Sequence, residues 1–141
     1  MKALLDTHAL LWWLDGDERL PLIAREWIND QEHVVLVSAA SAWEIATKVR
    51  IGKLPGAIKV AEQFHSCLLE QGFTPLAIST DHALRAGSLP GPHRDPFDRM
   101  LIAQAQAENV PLISNETLFD GYGIRRIWSA DSFPLSRSLT D

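Results

Sequence analysis

Val34-Val35-Leu36-Val37-Ser38-Ala39-Ala40-Ser41-Ala42-Trp43-Glu44 is the stretch that decides the fold. It opens with four consecutive aliphatic residues, three of them β-branched and none alternating with a polar one. That pattern describes a strand buried on both faces, as in a parallel sheet with helices on each side. The spacing after it predicts a helix from about Ser41 to Val49, stopped near Gly52. A buried strand running straight into a helix is the unit of an α/β domain.

Both flanks repeat the alternation. Residues 2–5 read as a strand stopped by Asp6-Thr7, and a short helix then carries Leu10, Leu11 and Leu14 on one side before Asp15-Gly16-Asp17. Pro21 suits the first turn of another helix, striped by Ile23, Ala24, Trp27 and Ile28. Downstream, a helix over roughly 57–71 would turn Val60, Phe64, Cys67 and Leu68 inward and stop at Gly72. Phe73 to Ile78 reads as a strand that Pro75 pushes to the sheet edge. A helix over 79–87 gives way to the Pro90-Gly91-Pro92 loop, and a long, well-buried helix follows over 96–109. Residues 111–113 and 124–128 supply the fourth and fifth strands, and the last dozen residues receive no assignment. The expectation is one domain over residues 1–141 with a mainly parallel sheet of about five strands.

Composition sets the class. With 46% hydrophobic and 22% charged residues in 141, the chain has enough apolar surface for one core without staples. One cysteine excludes an internal disulfide and fits a reducing compartment. No apolar run is long enough for a membrane span, and no long apolar region precedes the first acid, so a cytoplasmic protein without a signal peptide is expected. The net charge of −5 counts against a simple nucleic-acid binder, which is usually basic. It is compatible with one whose acids are neutralised by a divalent cation.

Four acids stand where a ligand site belongs. Asp6 ends the first strand, Glu44 lies in the first turn of the helix after Val37, Asp98 lies in the first turn of helix 96–109, and Glu116 follows the fourth strand. Ligands of open α/β sheets bind beyond the carboxyl ends of the strands. Each acid also has a plain structural explanation. Asp6 suits an N-cap, and Ser41-Ala42-Trp43-Glu44 fits a capping box. Asp95-Pro96-Phe97-Asp98 reads as a cap, a proline and a first-turn acid, and Glu116 suits a helix N-terminus. Capping requires no convergence, however, whereas crowded carboxylates call for a cation or raised pKa values. Oxygen ligands of this kind select Mg²⁺ or Mn²⁺, and such ions at carboxylates serve phosphodiester hydrolysis.

Other templates fail. A phosphate-binding Gly-x-x-x-x-Gly-Lys-Ser/Thr loop, a His-Glu-x-x-His site and a Gly-x-Ser-x-Gly elbow are all absent. The five histidines share no ligand spacing, and His8 alone falls near the acids. Lys48, Arg50, Lys53, Arg94 and Arg99 are candidate RNA contacts, but Glu44/Lys48 and Asp95/Arg99 are also spaced as helix ion pairs. Five tryptophans suit packing better than base stacking; Trp12 and Trp13 cannot both face one core, which leaves one for a protein contact.

The stretches Leu4-Leu5-Asp6-Thr7-His8, Val37-Ser38-Ala39 with Trp43-Glu44-Ile45, Asp95-Pro96-Phe97-Asp98-Arg99 with Leu101-Ile102-Ala103, and Leu112-Ile113-Ser114-Asn115-Glu116 together resemble the PIN-domain nucleases. Among these the likeness is to the VapC-like toxins of toxin–antitoxin modules, and it extends from residue 4 to 116. The resemblance implies a three-layer α/β/α sandwich and a Mg²⁺- or Mn²⁺-dependent endoribonuclease. It makes Asp6, Glu44 and Asp98 the core metal-binding and catalytic acids, with Glu116 at a more variable fourth position. It gives Thr7 and Ser114 the task of supporting the carboxylates. It also implies an RNA substrate, a homodimer and a cognate antitoxin. A PIN-like nuclease of RNA processing without antitoxin, and a non-catalytic binding domain of the same fold, are the alternatives.

Overall fold

In the computed structural model, which describes residues 1–129, five strands form one all-parallel sheet. They are β1 (Lys2–Leu5), β2 (Val34–Ser38), β3 (Thr74–Leu76), β4 (Leu112–Ile113) and β5 (Arg126–Ile127), in the spatial order β3-β2-β1-β4-β5. The chain lays strands to one side of β1 and then to the other, so β1 is central and the order reverses there. A crevice at the carboxyl ends is expected at such a reversal. Leu5 is level with Val37 on one side and Ile113 on the other. The residues just after these three, Asp6, Ser38 and Ser114, therefore line up along the sheet edge. Pro75 lies in edge strand β3, as its missing donor requires.

The helices are α1 (Thr7–Asp15), α2 (Leu22–Asn29), α3 (Ala39–Arg50), α4 (Ile58–Glu62), α5 (Phe64–Gln71), α6 (Thr80–Ser88) and α7 (Pro96–Glu108). Short 3₁₀ turns occupy Pro55–Ala57 and Thr117–Tyr122. One face of the sheet, with Leu5, Val35, Val37 and Ile113, packs against Leu10, Trp27, Ile45 and Leu68 from the first five helices. The other face, with Leu4, Leu36 and Leu112, packs against Leu101, Ile102 and Ala105 of α7. Successive side chains of a strand point to opposite faces, so the unalternating apolar runs fill both cores. The result is the three-layer α/β/α sandwich. Among the described residues no helix is long and apolar enough to cross a membrane.

Two expectations about elements are corrected. Helix α3 begins at Ala39 and not Ser41, because the Ser38 side chain accepts from Ala40 N–H and caps it directly off the strand. Glu44 consequently sits in the second turn, and the capping box with Ser41 does not form. The helix expected over 57–71 is broken at Gln63, whose φ of −122° and ψ of 34° divide α4 from α5. The bend lets Val60, Ala61, Phe64 and Leu68 all meet the same core. Trp12 and Trp13 are both half-buried: Trp12 packs against His8 and Trp128, while Trp13 packs against Phe73 and donates to Gln71 Oε1 at 2.8 Å. The exposed tryptophan is Trp43, edge-on to Phe97. The unassigned last dozen residues, 130–141, lie outside the described residues.

Candidate active site

Asp6 occupies the point where the strand order reverses. It follows central strand β1, its N–H donates to Ile113 O at 3.1 Å, and its carboxylate caps α1 by accepting from Ala9 N–H at 2.7 Å. The capping explanation is therefore correct, but it is incomplete. The carboxylate is 7% exposed, and its pKa is raised to about 6. Burial is the main cause, and the negative charges of Glu44 and Glu116 add to it. Hydrogen bonds from the Ser114 hydroxyl and Ala9 N–H oppose the shift.

Glu44 is the most buried of the four acids, 3% exposed, on the inward side of α3. Its Oε2 receives Lys48 Nζ at 2.5 Å, one helical turn on. Asp98 lies in the first turn of α7, which Asp95 caps through Phe97 and Asp98 N–H. Its pKa is likewise raised to about 6, first by burial and then by Asp95 and Glu44, while His93 works against the shift. His93 Nε2 and Asp98 Oδ2 are 3.0 Å apart. Glu44 is thus the common electrostatic neighbour of Asp6 and Asp98. Glu116 caps the 3₁₀ turn by accepting from Leu118 N–H at 3.1 Å, and its own N–H donates to Ser114 Oγ at 2.9 Å.

The four acids therefore share one region but do not enclose an ion as they stand. Among the described residues no three His, Cys, Asp or Glu side chains form a group that could hold a metal. Two of the carboxylates are turned onto neighbouring nitrogens, Glu44 onto Lys48 and Asp98 onto His93. The donor chemistry nevertheless fits a hard cation. All four groups are oxygen donors, and two are held near pKa 6 by burial and by one another. Rotation of Glu44 and Asp98 away from their present partners would free the oxygens.

Of the supporting residues, Ser114 holds Asp6, but Thr7 does not touch a carboxylate. Its hydroxyl donates to Ser41 Oγ at 2.9 Å and ties α1 to α3. Arg99, a candidate RNA contact, is committed within the protein: its guanidinium donates to the carbonyls of Ala86, Leu89 and His93. The spacing with Asp95 does not become an ion pair, since Asp95 caps α7. Lys48 forms the expected pair with Glu44, whereas Arg50, Lys53 and Arg94 are exposed. His8 is exposed against Trp12, and His93 is the histidine that pairs with Asp98.

Sequence reasoning also missed Arg126. This arginine is 8% exposed on β5, bridges Asp120 through two nitrogens at 2.7 and 3.2 Å, and donates to Ser114 O at 3.0 Å. It fixes the strand end that carries Ser114 and Glu116. An Arg six residues beyond an Asp across a loop has no local periodicity to reveal it.

Residues 3–124 match the PIN domain family. This chain belongs to the PIN-domain family. It is 30% identical to ribonuclease VapC22 of Mycobacterium tuberculosis over 117 residues, covering 81% of this chain and 86% of that protein. Ribonuclease VapC16 of the same organism is 41% identical over 59 residues, 42% of this chain and 40% of that protein. The PIN fold also matches solved structures. VapBC2 from Rickettsia felis, bound to a DNA fragment from its promoter, superposes with a TM-score of 0.64 at 17% identity, over 92% of this chain and all of that one. A toxin–antitoxin complex from Klebsiella pneumoniae gives 0.56 at 22% identity, over 82% and 87%. These two likenesses concern the fold.

Proposed function

We propose that this chain is a Mg²⁺- or Mn²⁺-dependent endoribonuclease that acts in the cytoplasm as the toxin of a toxin–antitoxin pair. The single observation that carries the catalytic half is the buried Asp6 carboxylate at the sheet's reversal point, raised to about 6 and crowded by Glu44 and Glu116. A folded protein has little reason to keep such a group ionisable unless a cation or substrate completes it. Asp6, Glu44 and Asp98 would hold the metal, with Glu116 at the rim. When bound, the ion supplies a Lewis acid for the phosphoryl group and lowers the pKa of water.

The chain's own residues have definable tasks. Ser114 fixes the Asp6 carboxylate, and Arg126 fixes Ser114. His93 orients Asp98. Lys48, when Glu44 turns to a cation, is free to meet the phosphate backbone of RNA. RNA as the substrate is supported by the naming of both relatives as ribonucleases. An antitoxin partner is supported by the neighbours solved as VapBC and toxin–antitoxin complexes. A homodimer belongs to the same reading.

Incubation of wild type and Asp98→Asn with single-stranded and structured RNA, in Mn²⁺ and in EDTA, tests the proposal. Metal-dependent cleavage by wild type alone is expected. Cleavage by neither protein, or by both equally, would overturn it.

A further inference from the structure

Beside the acids lies a pocket of about 530 Å³ that none of the catalytic tasks uses. It is lined by Pro90, Gly91, Pro92, His93, Leu118, Gly121 and Tyr122. Its volume falls within the range of about 300–1,000 Å³ typical of small-ligand sites, and its walls are chiefly apolar, with few polar groups. Two of those walls also hold the site's outer carboxylates. His93 is 3.0 Å from Asp98, and the backbone N–H of Leu118 caps Glu116. The pocket therefore continues the acid site between its two rim acids.

Two further features suit a ligand. The Tyr122 hydroxyl is buried and has no hydrogen-bond partner among the described residues. It is screened by Gly91, where a Cβ would stand 2.8 Å from the hydroxyl oxygen. Gly91 also has φ of +96°, which side chains other than hydrogen rarely adopt, so the thin wall over the hydroxyl depends on glycine twice over. Leu118 is 54% exposed at the mouth, with its side chain unburied by the fold. A flat ring entering here would lie against prolines, an imidazole and a leucine, and a small shift of the Gly91 backbone would bring the one unpaired hydroxyl to its edge.

We infer that this pocket receives one base of the RNA beside the scissile phosphate and sets which nucleotide is accepted there. The inference rests on the ribonuclease reading for its substrate, but its first test does not. Sequence-tolerant stacking combined with a single polar contact gives preference for a base class and not for a long motif.

Tyr122 is the chain's sole tyrosine, so protein made with 3-fluorotyrosine gives one ¹⁹F line that reports on the pocket. The probes are the four neutral nucleosides, with ribose as control, titrated without metal. The line is expected to move saturably with at least one nucleoside and not with ribose. A line that ignores all four, or follows ribose equally, would overturn the inference.

Cleavage of a random-sequence RNA pool supplies the second readout. Leu118→Ala, which keeps the backbone cap on Glu116, and Tyr122→Phe should each flatten the nucleotide preference at one position, by about fivefold or more. Wild-type cleavage with an unchanged preference in both variants would overturn the pocket and leave the nuclease standing. A ¹⁹F response in a protein that cleaves nothing would sink the nuclease and leave a nucleoside site.

Discussion

The inner and outer halves of the acid site are built differently. Asp6 and Glu44 are 7% and 3% exposed, and come from a central strand end and a core-facing helix turn. Asp98 and Glu116 lie on the rim, held by His93, Ser114 and the loops that carry them. The core fixes the inner pair, whose burial supplies charge density. Polar contacts fix the outer pair, whose openness leaves room for substrate. The division means that inner substitutions should change stability and activity together, and outer ones chiefly activity.

The largest expected effect is on activity, and it should not respect the division. Asp6→Asn and Asp98→Asn should each lower metal-dependent cleavage by about 10³-fold, since each removes a charged ligand from the reaction centre. Retention of more than a tenth of wild-type turnover by either would break the claim that the halves form one site.

Next comes Arg126, which ties the outer half to β5. Arg126→Met leaves Ser114 O and Asp120 without their donor and should destabilise the fold by about 3 kcal/mol, measured by urea unfolding. A neutral result would show that the Ser114–Glu116 arm is positioned by something else.

The inner half should then reveal itself through pH. The Asp6 pKa is about 6 in the folded chain against an ordinary 3.8, so the native state holds the proton more tightly than the unfolded state. Stability without metal should fall as pH rises from about 4 to about 6, and the loss should be complete above that. Two pKa units correspond to about 3 kcal/mol as an upper figure, and Asp98 adds in the same direction. Asp6→Asn retains a cap acceptor and should remove about half of this slope, Asp98 supplying the rest. An unchanged slope in that variant would contradict the burial argument.

Lys48→Met sharpens the contrast further. It strips the partner from a carboxylate that is nearly all buried, at a cost of about 2 kcal/mol, below that of a fully enclosed pair because Lys48 is partly exposed. Added Mn²⁺ should restore much of the loss if Glu44 can turn to a cation.

The inner half was also the more legible in the sequence. Val34–Val37 and residues 2–5 read as buried strands, and strand ends deliver Asp6 and Glu44 to one edge by connectivity. The sheet, its edge strand at Pro75 and helix α7 follow from the same patterns. Reading failed where a polar side chain chooses among local partners. Ser38 and not Ser41 caps α3, so Glu44 is released from the box its spacing suggested. Thr7 bonds across to Ser41, and Arg99 turns back on three carbonyls. His93 and Arg126 act across loops whose path carries no periodicity.

The most direct test of the central claim is the melting temperature at pH 7.5 with and without Mn²⁺, for wild type and Asp6→Asn. A ligand bound only by the folded state must stabilise it. The account predicts a clear rise for wild type and almost none for the variant. No rise in wild type, or an equal rise in both, would contradict a cation held by the acids at the centre of the sheet.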